Sequence, residues 1–114
     1  EELKAIADVI LKHENIFVIA DEIYEYINFI GEHVSMAAFP GMFDRTVTVN
    51  GFSKGYAMTG WRLGYICAPE WLVKAINKLQ GQTTSGINTI AQRAAVAAIN
   101  GDQSATKEMA VYFK

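Results

Sequence analysis

The chain has 114 residues, 51% hydrophobic and 19% charged, with ten basic against twelve acidic side chains and a formal net charge of −2. That balance excludes a disordered chain, gives no basic footprint for nucleic acid, and leaves no apolar run near the ~20 residues that a membrane-spanning helix needs. A chain of this size suits one globular unit that buries roughly two-thirds of its unfolded surface.

Residues 2–13 place Leu3, Ile6, Val9 and Ile10 at helical spacing, which predicts an amphipathic helix. The unbroken apolar run Ile16–Ala20 predicts a strand covered on both faces, as in a parallel sheet. Residues 28–44 read as loop, with one helical turn near Ser35–Ala38. Thr46–Asn50 is a second strand, rich in β-branched residues, and Leu63–Ala68 is a third. Between them, Gly51, Gly55 and Gly60 predict irregular backbone. Pro69 suits a first helical position, opening a helix over 70–80 with Trp71, Ala75, Ile76 and Leu79 on its apolar face and Gly81 closing it. A helix over 88–99 should pack through Ile90, Ala94, Ala97 and Ala98 and end at Gly101, and a last helix starts at Ser104. Helices interleaved with strands predict an α/β layered fold.

The opening Glu1-Glu2-Leu3-Lys4 lacks the basic start of a signal peptide, and there is no initiator methionine, so the chain reads as the middle of something longer. Cys67 is the single cysteine and cannot form an internal disulfide, which points to a reducing, cytoplasmic setting. It sits in a strand and reads as a small apolar side chain. His13 and His33 have no partner pattern, so no metal site is expected.

Polar residues cluster where strands end, which is where open α/β sheets bind ligands. Asp21 closes the first strand, with Tyr24 three positions on; Ser53-Lys54 follows the second; Arg62 precedes the third. Asp21 reads equally as a helix N-cap or turn residue, or as a buried carboxylate awaiting a cationic partner. Tyr24 taken alone is an ordinary core or rim aromatic. Lys54 has Gly51, Phe52, Gly55 and Tyr56 around it, a setting in which an enclosed amine can act as a nucleophile that forms Schiff bases. Arg62, beside a glycine-rich turn, suits either a carboxylate or a phosphate.

The strings Asp21-Glu22-Ile23-Tyr24 and Ser53-Lys54-Gly55-Tyr56-Ala57-Met58-Thr59-Gly60-Trp61-Arg62-Leu63-Gly64-Tyr65, in this order and with these gaps, closely resemble the class I/II aminotransferases. These are fold-type I enzymes that use pyridoxal 5′-phosphate (PLP), and the run Met58–Arg62 looks most like their bacterial aspartate aminotransferase branch. The resemblance implies a three-layer α/β/α fold, with residues 1–114 forming part of the large PLP-binding domain. It implies that Lys54 holds PLP as a Schiff base and shuttles a proton. Asp21 would pair with the pyridine nitrogen, Tyr24 would donate to the cofactor's phenolic oxygen, and Ser53 and Arg62 would bind its phosphate. The reaction implied moves an amino group between an amino acid, aspartate by branch, and a 2-oxo acid, 2-oxoglutarate by branch. A C–S lyase shares the Asp, Tyr, Lys and Arg set, and the aminotransferase-like domain of a PLP-sensing transcriptional regulator is a further alternative.

Relatives are homodimers with active sites at the subunit interface. They carry further cofactor contacts upstream and a carboxylate-binding arginine downstream, so residues 1–114 alone are expected to be inactive. Many carry a serine three positions before the lysine, where this chain has Gly51, leaving that phosphate contact to the backbone or lost. Thr83-Thr84-Ser85 resembles a loop near the dimer interface and reads equally as a turn between helices.

Overall fold

The computed structural model describes residues 1–114. Helix α1 spans Glu2–Ile10, and three strands follow, β1 (Val18–Asp21), β2 (Thr46–Gly51) and β3 (Gly64–Cys67). Helices α2 (Glu70–Thr83), α3 (Thr89–Asn100) and α4 (Ser104–Phe113) complete the chain. Short 3-10 turns occupy Met36–Ala38, Phe43–Arg45 and Thr59–Trp61. No helix is long and apolar enough to cross a membrane, and no group of three or more His, Cys, Asp or Glu side chains is placed to hold a metal ion.

The sheet has the order β1-β2-β3. β1 runs parallel to β2, with Val18 opposite Thr46 and Asp21 opposite Val49. β3 runs antiparallel to β2, with Gly51 opposite Gly64. The register places the carboxyl ends of β1 and β2 side by side, so the chain leaves the sheet at Asp21 and at Gly51 along the same edge.

Several expectations shift. α1 stops at Ile10, because Lys12 and His13 N–H groups bond three residues back, to Val9 and Ile10, and tighten the last turn. The first strand begins at Val18, where β2 supplies a partner; Phe17 instead meets Trp71 edge-on at 5.8 Å. Pro69 caps α2 rather than opening it, its carbonyl accepting from the N–H groups of Leu72 and Val73. Gly81 lies inside α2, which runs on to Thr83. The buried stripe of α3 is Ala91 and Ala95, with Ala98 half-buried; Ile90 and Ala97 face outward. The turn near Ser35 forms as expected, with Ser35 Oγ accepting from Ala37 N at 3.3 Å.

Two small clusters make the core. Ala7, Met36 and Met42 pack between α1 and the sheet, backed by Val18 and Ala20. Phe52, Leu63 and Ala95 pack under the β2–β3 connection, backed by Tyr56 and Met58. The chain measures 41 × 40 × 19 Å and exposes 8370 Å². A compact monomer of its mass would expose about 6,200 Å². The two-thirds burial expected from length is therefore not reached, and the excess includes apolar side chains: Ile19 is 77% exposed and Tyr112 89%.

Candidate active site

Asp21 ends β1, and its Oδ1 accepts from Ile23 N at 3.2 Å, an Asx turn that bends the chain off the sheet. Glu22 N donates to Val49 O at 2.8 Å, so pairing with β2 persists one residue beyond Asp21. The side chain of Glu22 goes inward and keeps 9% of its exposure. Its Oε1 accepts from Ser35 Oγ at 2.8 Å and from Met36 N at 3.1 Å, and its Oε2 meets His33 Nε2 at 2.9 Å. Asp21 is exposed and joins no ion pair, so the structure shows the turn-residue reading and not the buried one. His33, expected to be without a partner, is paired with Glu22.

The second strand leads into the lysine. Ala57 N bonds to Lys54 O at 3.1 Å and Met58 N to Phe52 O at 3.1 Å, folding residues 52–58 into a compact loop. Left-handed backbone falls at Ala57 and Arg62, both at φ 53°, and not at Gly55 or Gly60. Non-glycine residues held there store strain, a feature that concentrates at functional sites. Gly55 is needed for another reason: a Cβ on it would stand 2.5 Å from the Tyr26 ring. Lys54 is exposed rather than enclosed by its aromatic neighbours, because Phe52 and Tyr56 pack downward into the core. It joins none of the three ion pairs, which leaves its amine uncommitted.

Tyr24, Ser53 and Lys54 line one open cleft of about 510 Å³, with Ile27, Phe29 and Thr59 among its walls. Tyr24 also borders the neighbouring cleft that holds Asp21 and Glu22. Arg62 opens onto a third cleft of about 660 Å³, with Trp61, Thr84 and Asn88. Ala57 forms part of both the Lys54 and Arg62 clefts, and Arg62 Nη1 donates to the carbonyl of Thr59, a wall of the Lys54 cleft, at 2.8 Å. The chain thus brings four of the five candidates to contiguous clefts through Tyr24 and sets Arg62 across a single turn from them.

At Gly51, an added Cβ would lie 2.9 Å from Leu63 O, so a serine does not fit. The Gly51 N–H is taken by Asn50 Oδ1 at 2.7 Å. Thr83 and Thr84 return their hydroxyls to Gln80 O, and Ser85 adopts φ 62°, so this stretch forms the end of α2 and a turn toward α3. Cys67 lies in β3, as expected, with its side chain exposed. Glu22, Ser35 and Thr59 carry no signal in the sequence strong enough to single them out; the only hint is two adjacent carboxylates at a strand end, of which one must turn inward.

The family model for aminotransferase class I and II matches residues 1–114. The chain is 55% identical over 98 residues to a bifunctional aspartate aminotransferase and glutamate/aspartate-prephenate aminotransferase of Petunia hybrida, covering 85% of this chain and 20% of that protein. It is 48% identical over 110 residues to an aspartate aminotransferase of Musicola paradisiaca (strain Ech703), covering 96% and 27%. The crystal structure of the aspartate aminotransferase from Rhizobium meliloti superposes with a TM-score of 0.92 at 42% identity, over 96% of this chain and 28% of that one. The aromatic aminotransferase from Pyrococcus horikoshii OT3 gives 0.87 at 45%, over 95% and 30%. The chain therefore spans between a fifth and about three tenths of these relatives' lengths. The α/β fold is that of fold-type I aminotransferases, and with the family model matching from first residue to last, the chain belongs to the class I and II aminotransferases.

Proposed function

We propose that this chain is the central part of the large, PLP-binding domain of an aminotransferase that moves an amino group between aspartate and 2-oxoglutarate. The observation that carries the reading is the shared cleft of Tyr24, Ser53 and Lys54 beside the strand-end carboxylate Asp21. The donor set fits a phosphorylated pyridine aldehyde: an uncommitted primary amine, a phenol, a hydroxyl, a carboxylate and a guanidinium. The aspartate aminotransferase names of the Petunia and Musicola relatives support aspartate as the amino donor.

PLP, when bound, supplies an electron sink that stabilises negative charge at the substrate Cα. Lys54 Nζ would hold the cofactor covalently, and its amine, when free, would carry a proton between the substrate Cα and the cofactor carbon that receives the amino group. The Asp21 carboxylate, held by the Asx turn, would keep a proton on the ring nitrogen. The Tyr24 hydroxyl would donate to the ring's phenolic oxygen. Ser53 Oγ and the Arg62 fork would bind the phosphate, Arg62 supplying charge and a planar set of donors.

The remaining cofactor contacts and the substrate carboxylate clamp come from chain outside these 114 residues. The exposed apolar faces at Ile19, Leu79 and Val111 support burial by that chain and by a second copy in a homodimer. The test uses the full-length enzyme. Glutamate formed from aspartate and 2-oxoglutarate supports the reading. Pyruvate and ammonia released from cystathionine, with no glutamate formed, overturn it in favour of a C–S lyase. Residues 1–114 alone should show no turnover with PLP.

A further inference from the structure

Three segments that are distant in sequence meet at two phenols. Tyr26 lies two residues after Tyr24, and Tyr56 lies two residues after Lys54. Their rings meet edge to face at 5.3 Å, and their hydroxyl oxygens stand 3.4 Å apart. The Tyr26 ring also fills the space over Gly55, where even one added methyl would collide with it. The Tyr56 hydroxyl is 2.9 Å from Gln103 Oε1, in the connection between α3 and α4.

Proton counting fixes the direction of this chain. Gln103 Nε2 donates to Ala98 O at 2.9 Å and to Gly101 O at 2.8 Å, so the amide is held with its oxygen toward Tyr56. An amide oxygen only accepts, so the single Tyr56 proton goes to Gln103. The Tyr56 oxygen is then the acceptor, and Tyr26 donates to it. The end of α3 thereby locks Gln103, Gln103 orients Tyr56, and Tyr56 holds Tyr26. The Tyr26 phenol keeps its proton well above the ordinary range, first because of the hydrogen bond with Tyr56 and then through burial.

We propose that Tyr26, Tyr56 and Gln103 form a strut of positioning residues that sets the Tyr24 turn against the Lys54 loop. None of the three lines the cleft that Tyr24 shares with Lys54. They act through the backbone two residues away, where a small displacement alters the alignment of amine and phenol. The proposal rests on the reading of Lys54 and Tyr24 given above.

The experiment uses the full-length enzyme loaded with PLP, comparing Tyr56→Phe, Tyr26→Phe and the double variant. The readouts are the spectrophotometric titration of the bound cofactor, kcat, and the melting midpoint. Each single variant keeps its ring and should move the cofactor's titration midpoint by about half a unit or more. Tyr56→Phe should lower kcat about five- to tenfold, the effect of one lost hydrogen bond. The double variant should match Tyr56→Phe alone, because a strut broken once is broken. A lowered melting midpoint with titration and kcat unmoved would overturn the proposal, leaving the phenols with packing only. Additive effects in the double variant would overturn it as well. Lys54→Ala separates the two claims: if it retains the native cofactor titration, the reading of Lys54 fails and the strut falls with it.

Discussion

The carboxylate of Glu22 meets His33 Nε2 at 2.9 Å, while its other oxygen accepts from Ser35 Oγ and Met36 N. This contact ties the irregular segment after residue 28 back to the end of β1, one residue from Asp21. A nearly buried carboxylate with three donors cannot be removed without leaving Ser35 and Met36 unpaired. Glu22→Ala should cost about 2 kcal/mol or more in urea unfolding. His33→Ala, whose ring is about a third exposed, should cost less than about 1 kcal/mol. Equal costs for the two would show that the buried oxygen's partners contribute nothing.

Gly55 and Tyr26 give the second prediction. The added methyl of Gly55→Ala would meet Tyr26 Cδ2 at 2.5 Å. Overpacking of this kind costs about 1–3 kcal/mol and pushes the Lys54 loop off its seat. Shortening Tyr26 to Ser in the same chain should recover part of the loss. Unfolding midpoints of the single and double variants decide it, and an absence of recovery would mean the strain lies elsewhere.

Arg62 combines a strained backbone with a side chain bonded to Thr59 O. Arg62→Ala loses the bond and keeps the strain, whereas Arg62→Gly loses both. The glycine variant should therefore be the more stable of the two by about 1 kcal/mol. Both should bind PLP more weakly than the parent enzyme, which equilibrium dialysis would measure. An alanine variant as stable as the glycine variant would contradict the strain assignment.

At high pH two phenols should govern stability. Tyr26 and Tyr65 titrate above the ordinary 10.0 in the folded chain, Tyr26 chiefly through its bond with Tyr56 and Tyr65 chiefly through burial beside Glu25. The unfolded chain releases both protons near 10.0. Their contribution is thus fully present below that pH and is lost as pH rises through the folded values, because the native state then binds more protons than the unfolded one. Tyr26→Phe should make the alkaline fall in the unfolding midpoint shallower. An unchanged slope would remove Tyr26 from the account.

The sequence disclosed the parts of the fold that rest on local pattern. Apolar and β-branched runs marked all three strands, and helical spacing marked the first three helices. Boundaries moved where tertiary partners decided them. Val18 begins β1 because Thr46 stands opposite, and α2 runs through Gly81 to Thr83, closed by Thr84 N on Gln80 O. The antiparallel direction of β3 had no local signal, since it depends on how the loop from 52 to 63 turns back. The placing of Asp21, Tyr24, Ser53 and Lys54 at one sheet edge was legible because the chain after each strand starts from its carboxyl end. The bond between Glu22 and His33 was not, because they lie eleven positions apart along irregular chain. Nor was the exposure of Lys54, because flanking aromatic residues in sequence need not enclose a side chain in space.

The central claim is that the Lys54 amine anchors PLP. Lys54 is exposed and takes part in no ion pair, so Lys54→Ala should change stability by less than about 0.5 kcal/mol. The decisive measurement is borohydride reduction of the PLP-loaded full-length enzyme, followed by peptide mass analysis. The account predicts a pyridoxyl group on Lys54 in the parent enzyme and no pyridoxylated lysine in a folded Lys54→Ala variant that also lacks transaminase activity. Label on another lysine of the parent, or full activity in the variant, would contradict it.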